Sequence, residues 1–232
     1  MNIYSEVVDG LAGWLNFEMR AKRDNLFSEA YLANPLGQLL NASFPGRILT
    51  EMQHPILADK MQGPGKRPQV DFVVTGNYGK WDLAIETKWI SKSPTLHQDI
   101  IKDVIRLDLL VPTYAREGIL IVAGNKRDFS DFFEDNKFKK HPDQPSSNPL
   151  LPIENHTAGS VRFLPTSAFR KDIYNKALKP FRGVEISQII RLQRSGPFPR
   201  NPNNEHYEVY LWKIRTDRLK EASFLPEEHF DI

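Results

Sequence analysis

Two β-rich runs around a short glycine-bearing turn constrain this chain more than any other feature. Residues 69–90 (Gln-Val-Asp-Phe-Val-Val-Thr-Gly-Asn-Tyr-Gly-Lys-Trp-Asp-Leu-Ala-Ile-Glu-Thr-Lys-Trp-Ile) read as a β-hairpin turning at Gly76-Asn77-Tyr78-Gly79. A loop centred there opposes positions whose numbers sum to 155, which sets Asp71 across from Ala84. Side chains alternate along a strand, so Asp82, Ala84, Glu86 and Lys88 share a face, with Glu86 and Lys88 roughly 7 Å apart. In that register Glu86 is the diagonal neighbour of Asp71, at about 7–8 Å between Cα atoms, and the two carboxylates can converge on one cation.

Taken singly, an Asp or a Glu-Thr-Lys on a strand is more often a solvated face with a weak ion pair. In this chain Val70, Phe72, Val74, Leu83 and Ile85 mark a core sheet, so Asp71, Glu86 and Lys88 together read as a site. Oxygen ligands suit a hard ion such as Mg²⁺, with Mn²⁺ able to substitute. Zinc is disfavoured, because the chain has no cysteine and its six histidines show no HxH or HxxxH spacing. Asp82 shares the face by phase, but beside the turn it reads as structural.

The flanking segments supply an α/β context. Residues 4–22 read as an amphipathic helix, Asp24 as the N-cap of another, and Pro35 as its interruption, leaving a separate or kinked helical piece over 35–42. Residues 47–57 have strand character. Ser93-Pro94 starts a helix carrying Leu96, Ile100, Val104 and Leu107 at helical spacing. Gly118 to Gly124 is an apolar run bounded by glycines, expected as a central buried strand, with a short helix over 128–137. Residues 139–159 hold four prolines and read as a long loop, followed by a helix over 167–178 and strands over 184–193 and 206–215.

The order Asp71, Glu86-Thr87-Lys88, amphipathic helix, buried strand resembles the PD-(D/E)xK nuclease superfamily, the restriction-endonuclease-like fold. The resemblance covers roughly residues 25–124. It implies that Asp71 and Glu86 bind a catalytic Mg²⁺ and that Lys88 positions or deprotonates the attacking water. A Glu on the helix preceding the sheet would match Glu29, with Glu51 on the first strand as competitor. Val70 stands where the motif has proline. Gln98 is followed four residues later by Lys102, not by the tyrosine that some branches carry.

The expectation is therefore one domain, 1–232. Its core, about 25–137, is a restriction-endonuclease-like mixed β-sheet of four or five strands flanked by helices. A proline-rich loop over 138–160 and a C-terminal helix and β-hairpin extension over 161–232 follow. The expected activity is metal-dependent phosphodiester hydrolysis, with DNA ahead of RNA as substrate, in a restriction, phage-defence or repair setting. The alternative is an inactive nuclease-like module that binds nucleic acid or a protein. Gln98, Lys102 and Arg106 form a helical stripe that could face substrate or simply solvent. Trp81, Trp89 and Trp212 read as packing aromatics rather than base-stacking platforms.

Bulk numbers narrow the partners. A net charge of +2 from 31 basic and 29 acidic residues does not announce a nucleic-acid binder, although Lys66-Arg67, Lys126-Arg127, residues 137–141 and the Arg191, Arg194, Arg200 group could contact phosphates. The cysteine-free composition and the charged first twenty residues point to the cytoplasm, and no run is long enough to span a membrane. A homodimer is left open.

Overall fold

The computed structural model describes residues 3–60, 67–77, 79–135, 138, 149–152, 158–163, 168–200, 205–215 and 222–232. Helices α1 (Ile3–Arg20) and α2 (Glu29–Ser43) precede strand β1 (Ile48–Gln53) and the one-turn helix α3 (Leu57–Lys60). The hairpin β2 (Gln69–Thr75) and β3 (Trp81–Trp89) follows, then helix α4 (Leu96–Leu110), strand β4 (Ala115–Asn125) and helix α5 (Lys126–Glu134). The remainder is β5 (Ala158–Arg162), α6 (Ala168–Leu178), β6 (Ile186–Ser187), β7 (Ile189–Phe198), β8 (Tyr207–Arg215) and β9 (Ser223–Phe224).

Seven strands form one mixed sheet in the order β1-β2-β3-β4-β8-β7-β5. β3 and β4 are parallel, joined by the α4 crossover, and the other pairs are antiparallel. The sheet is the middle of three layers. Phe72, Val74, Ile85, Ile119 and Ile121 pack with Leu11, Leu15, Leu32 and Leu36 of α1 and α2. Val73, Ala84, Leu120 and Val122 pack on the other face with Ile100, Val104 and Leu107 of α4. By alternation from Ala84, the side chains of Glu86 and Lys88 belong to the α4 face, whereas β2 does not alternate strictly around Asp71, since Val70 and Val73 both join that core.

Several expectations change. Pro35 does not divide a helix: α2 starts at the Ser28 cap and runs through it, while Asp24–Leu26 is a separate 3₁₀ turn. Leu32, Leu36 and Leu40 recur at helical spacing and are all buried. Their burial offsets the roughly 3 kcal/mol that an interior proline costs. Gly118 and Gly124 lie within β4 rather than at its ends. A Cβ on Gly124 would meet Ile90 Cβ at 2.8 Å, so the strand carries glycine there for close approach.

The C-terminal hairpin is no appendage, because β8 pairs with β4 and β7 inside the main sheet. Described parts of the proline-rich segment are also integrated: Phe138, Leu150 and Leu151 are buried, Trp212 Nε1 donates to Pro152 O at 3.0 Å, and residues 158–162 form an edge strand. Lys66, Lys137, Lys139 and Lys140 lie outside the described residues. No helix among those described is long and apolar enough to cross a membrane.

Candidate active site

The hairpin register differs from the expected one by two residues. Phe72 opposes Ile85, Val73 opposes Ala84 and Val74 opposes Leu83, with an irregularity at Thr75. The turn spans 76–80, closed by Gly76 N–H to Lys80 O at 2.9 Å, and Gly79 adopts φ 74°, a conformation that favours glycine. Extended by one residue, that register would set Asp71 level with Glu86 instead of diagonal to it, but the ladder between the two strands ends at Phe72 and Ile85. Past the last paired residues, Asp71 replaces main-chain pairing: its Oδ2 accepts from both Thr87 N and Thr87 Oγ1 at 2.7 Å. Those two bonds fix the carboxylate and leave Oδ1 to face other partners.

Glu86 is 1% exposed, and its Oε1 lies 2.9 Å from Arg106 Nη2 on α4. The contact is close but not aligned as a hydrogen bond, so Oε1 has no hydrogen-bond partner among the described residues. Burial, then the charge of Asp103, pushes the Glu86 pKa well above the ordinary carboxylate range against the pull of Arg106.

Lys88 sits between two acids. Its Nζ is 3.1 Å from both oxygens of Glu29, the first residue of α2, and 3.2 Å from Oδ2 of Asp103 on α4. Burial acts to lower the Lys88 pKa, but Asp103 and Glu29 together outweigh it and hold the ammonium charged. Asp103 is buried, and desolvation pushes its carboxyl up to about 6 despite Lys88 and Arg106.

Arg106 ties the cluster together. Nη2 donates to Gln69 O at the start of β2, and Nη1 lies 3.3 Å from Asp103 Oδ1. The Arg106 carbonyl in turn accepts from His54 Nε2 at 3.0 Å, while His54 Nδ1 accepts from Ile56 N and Leu57 N at the start of α3. That donor pattern sets the His54 tautomer, and burial lowers its pKa to about 4.

Asp71, Glu86, Lys88 and Glu29 are thus brought together. Glu51 lies at φ 51° between the Thr50–Phe72 and Met52–Val70 pairs of β1 and β2, and its side chain is exposed. Of the expected helical stripe, only Arg106 engages the cluster. Lys102 pairs with Asp99 at 3.0 Å and borders a cavity of about 320 Å³ beside Lys88, Asp103 and Arg106, with Leu57, Pro68 and Phe181 opposite. Gln98 is buried and does not line that cavity. Asp82 sits at the far end of β3, paired with Arg47 and Arg116. Trp212 is buried, and Trp89 packs against Phe27 and Tyr207.

Sequence reasoning missed Asp103 and Thr87. The available signal for Asp103 was a charge directly beside Val104, on the margin of the α4 apolar stripe rather than opposite it. The donor set is all oxygen, and four carboxylates against Lys88 and Arg106 leave surplus negative charge when ionised. That surplus and the unsatisfied Glu86 Oε1 suit a divalent cation held by Asp71 and Glu86, with water and phosphate completing its shell. No family model, curated protein or solved structure matches this chain.

Proposed function

We propose that the chain is a metal-dependent nuclease of the PD-(D/E)xK, restriction-endonuclease-like type, hydrolysing phosphodiester bonds of DNA. One observation carries the reading: Asp71 is fixed against Thr87, the residue between Glu86 and Lys88 on β3, and Lys88 is held by Glu29 and Asp103. Bound Mg²⁺ or Mn²⁺ would polarise the scissile phosphate and acidify a water.

The protein's own groups supply the rest. Thr87 presents Asp71 in a fixed orientation, so little is lost in ordering it when a ligand arrives. The Lys88 ammonium donates toward an attacking water and offsets the negative charge that develops on the phosphate oxygens. Glu29 and Asp103 keep Lys88 charged and aimed, and Arg106 balances Glu86 before a cation binds.

That same Arg106 contact favours a second reading, a non-catalytic module in which the guanidinium stands in for the ion. The two separate on incubating the protein with plasmid DNA, single strands and RNA in Mg²⁺, Mn²⁺ or EDTA, beside Asp71→Asn. Cleavage of DNA that needs the ion and Asp71 supports the nuclease; its absence in both ions supports the module.

A further inference from the structure

A groove of about 750 Å³ opens at the end of the sheet away from Lys88. Lys88 is level with Val122 on β4, whereas the groove begins at Arg116 and Glu117, five to six residues back. That is roughly 16–20 Å along the strand, and the groove then spreads laterally over β8, β7 and β5 at about 5 Å per strand. It is a separate place from the cleft around Asp71.

Among the described residues five cations line it, Arg116, Arg162, Arg191, Lys213 and Arg215, against one carboxylate, Glu117. Glu117 Oε1 is engaged by Lys213 Nζ at 2.5 Å. Arg191 and Arg215 directly oppose each other across β7 and β8, and Ser160 opposes Arg191 from β5. Arg162 Nε reaches Ser160 Oγ at 3.2 Å, which draws a third guanidinium over the same row. Like charges set opposite one another cost a sheet stability, and a polyanion laid across the row would offset that cost. All four arginines are exposed. The preponderance of Arg over Lys fits planar, two-pronged binding of phosphate oxygens.

The sequence cluster Arg191, Arg194, Arg200 does not act as a unit in the folded chain. Arg194 is 5% exposed with its guanidinium 4.5 Å from the Tyr210 ring centroid, and only Arg191 of the three lines the groove. The phosphate-facing set is instead assembled from four strands of the sheet.

We propose that this groove is a second nucleic-acid contact, binding the phosphodiester backbone of duplex DNA away from the catalytic cleft. It takes the identity of the polymer from the function proposed above, but it stands or falls on binding alone. The test is the affinity of the full chain for a labelled duplex across a salt series in EDTA, where cleavage is blocked. Replacing Arg162, Arg191 and Arg215 together with Gln should weaken binding at least ~10-fold at moderate salt and flatten the slope of log affinity against log salt by about 2–3. A control with equal charge loss, Lys171→Gln, Lys176→Gln and Arg182→Gln, should leave both unchanged. Replacing the same three arginines with Lys, which keeps the charge, should restore the salt slope. Unchanged affinity and slope in the first variant, or an equal loss in the control, overturns the groove. Displacement of the duplex by polyglutamate or inorganic phosphate as readily as by unlabelled duplex at equal charge overturns the phosphodiester assignment. Mg²⁺-dependent cleavage by the Gln variant on a short duplex reports on the active-site proposal separately.

Discussion

Arg106 Nη2 lies 2.9 Å from Glu86 Oε1 and so joins α4 to a carboxylate that burial already disfavours in its charged form. The folded-state pKa of Glu86 is raised, whereas in the unfolded chain it ionises in the ordinary range near 4.5. The unfolded state therefore loses its proton first as pH rises, and Glu86 costs the metal-free protein stability at neutral pH.

From this, Glu86→Gln should fold, melt about 2–4 °C higher than wild type without metal at pH 7–8, and lose cleavage. Arg106 keeps Asp103 and Gln69 O as partners in that variant. Asp71→Asn should likewise lose cleavage. Thermal melts and plasmid cleavage on the same preparations check both, and near wild-type cleavage by Glu86→Gln would falsify the assignment of this carboxylate.

His54 gives a pH dependence of the opposite sign. Its pKa falls from 6.5 to about 4 on folding, because burial disfavours the charged ring and the Arg106 charge adds to that, outweighing the hydrogen bond to the Arg106 carbonyl. The neutral ring's stabilisation is complete above pH 6.5 and is lost as pH falls toward 4, by up to about 3 kcal/mol at about 1.36 per pK unit. The stability difference between wild type and His54→Asn, measured by urea unfolding, should therefore narrow from pH 7 to pH 5. A difference independent of pH would show that His54 titrates normally.

Asp103 acts through Lys88. With Oδ2 3.2 Å from Nζ and Oδ1 3.3 Å from Arg106, it aims both cations at the cleft. Asp103→Asn should lower kcat about 10–100-fold, as losses of supporting shells around metal sites do, while substrate affinity changes little. A loss confined to KM would assign Asp103 to substrate binding instead.

How much of the fold and site was legible follows residue by residue. The common face of Glu86 and Lys88 depends only on strand parity within β3, so it could be read, whereas the placement of Asp71 could not, because β2 departs from strict alternation beside it and its carboxylate is set by Thr87. The register itself rests on the five-residue turn and the irregularity at Thr75, which no local propensity specifies. Pro35 misled because its local penalty was weighed without the tertiary burial of Leu32, Leu36 and Leu40. Asp103 stayed hidden for a similar reason: a charge on a helix reads as solvated until the groups on the neighbouring strand turn it inward, and Arg106 was legible only as one member of a stripe open to substrate or solvent. The basic groove joins residues from four strands, so nothing adjacent in sequence announces it.

The choice of ion follows from ligand chemistry. Two carboxylates on adjacent strands supply oxygens without enforcing a coordination number, so Mg²⁺ and Mn²⁺ should both support cleavage. Ca²⁺ is larger and takes more ligands at longer distances. It should neutralise Asp71 and Glu86 and admit a phosphate while failing to reproduce the compact geometry that catalysis needs. DNA retention and cleavage measured side by side should therefore show binding with turnover in Mg²⁺ and Mn²⁺ but binding without turnover in Ca²⁺. EDTA should abolish cleavage and spare the retention owed to the distant arginine groove. Cleavage that proceeds equally well in EDTA would remove the metal from the mechanism, and with it the role of Asp71 and Glu86 as its ligands.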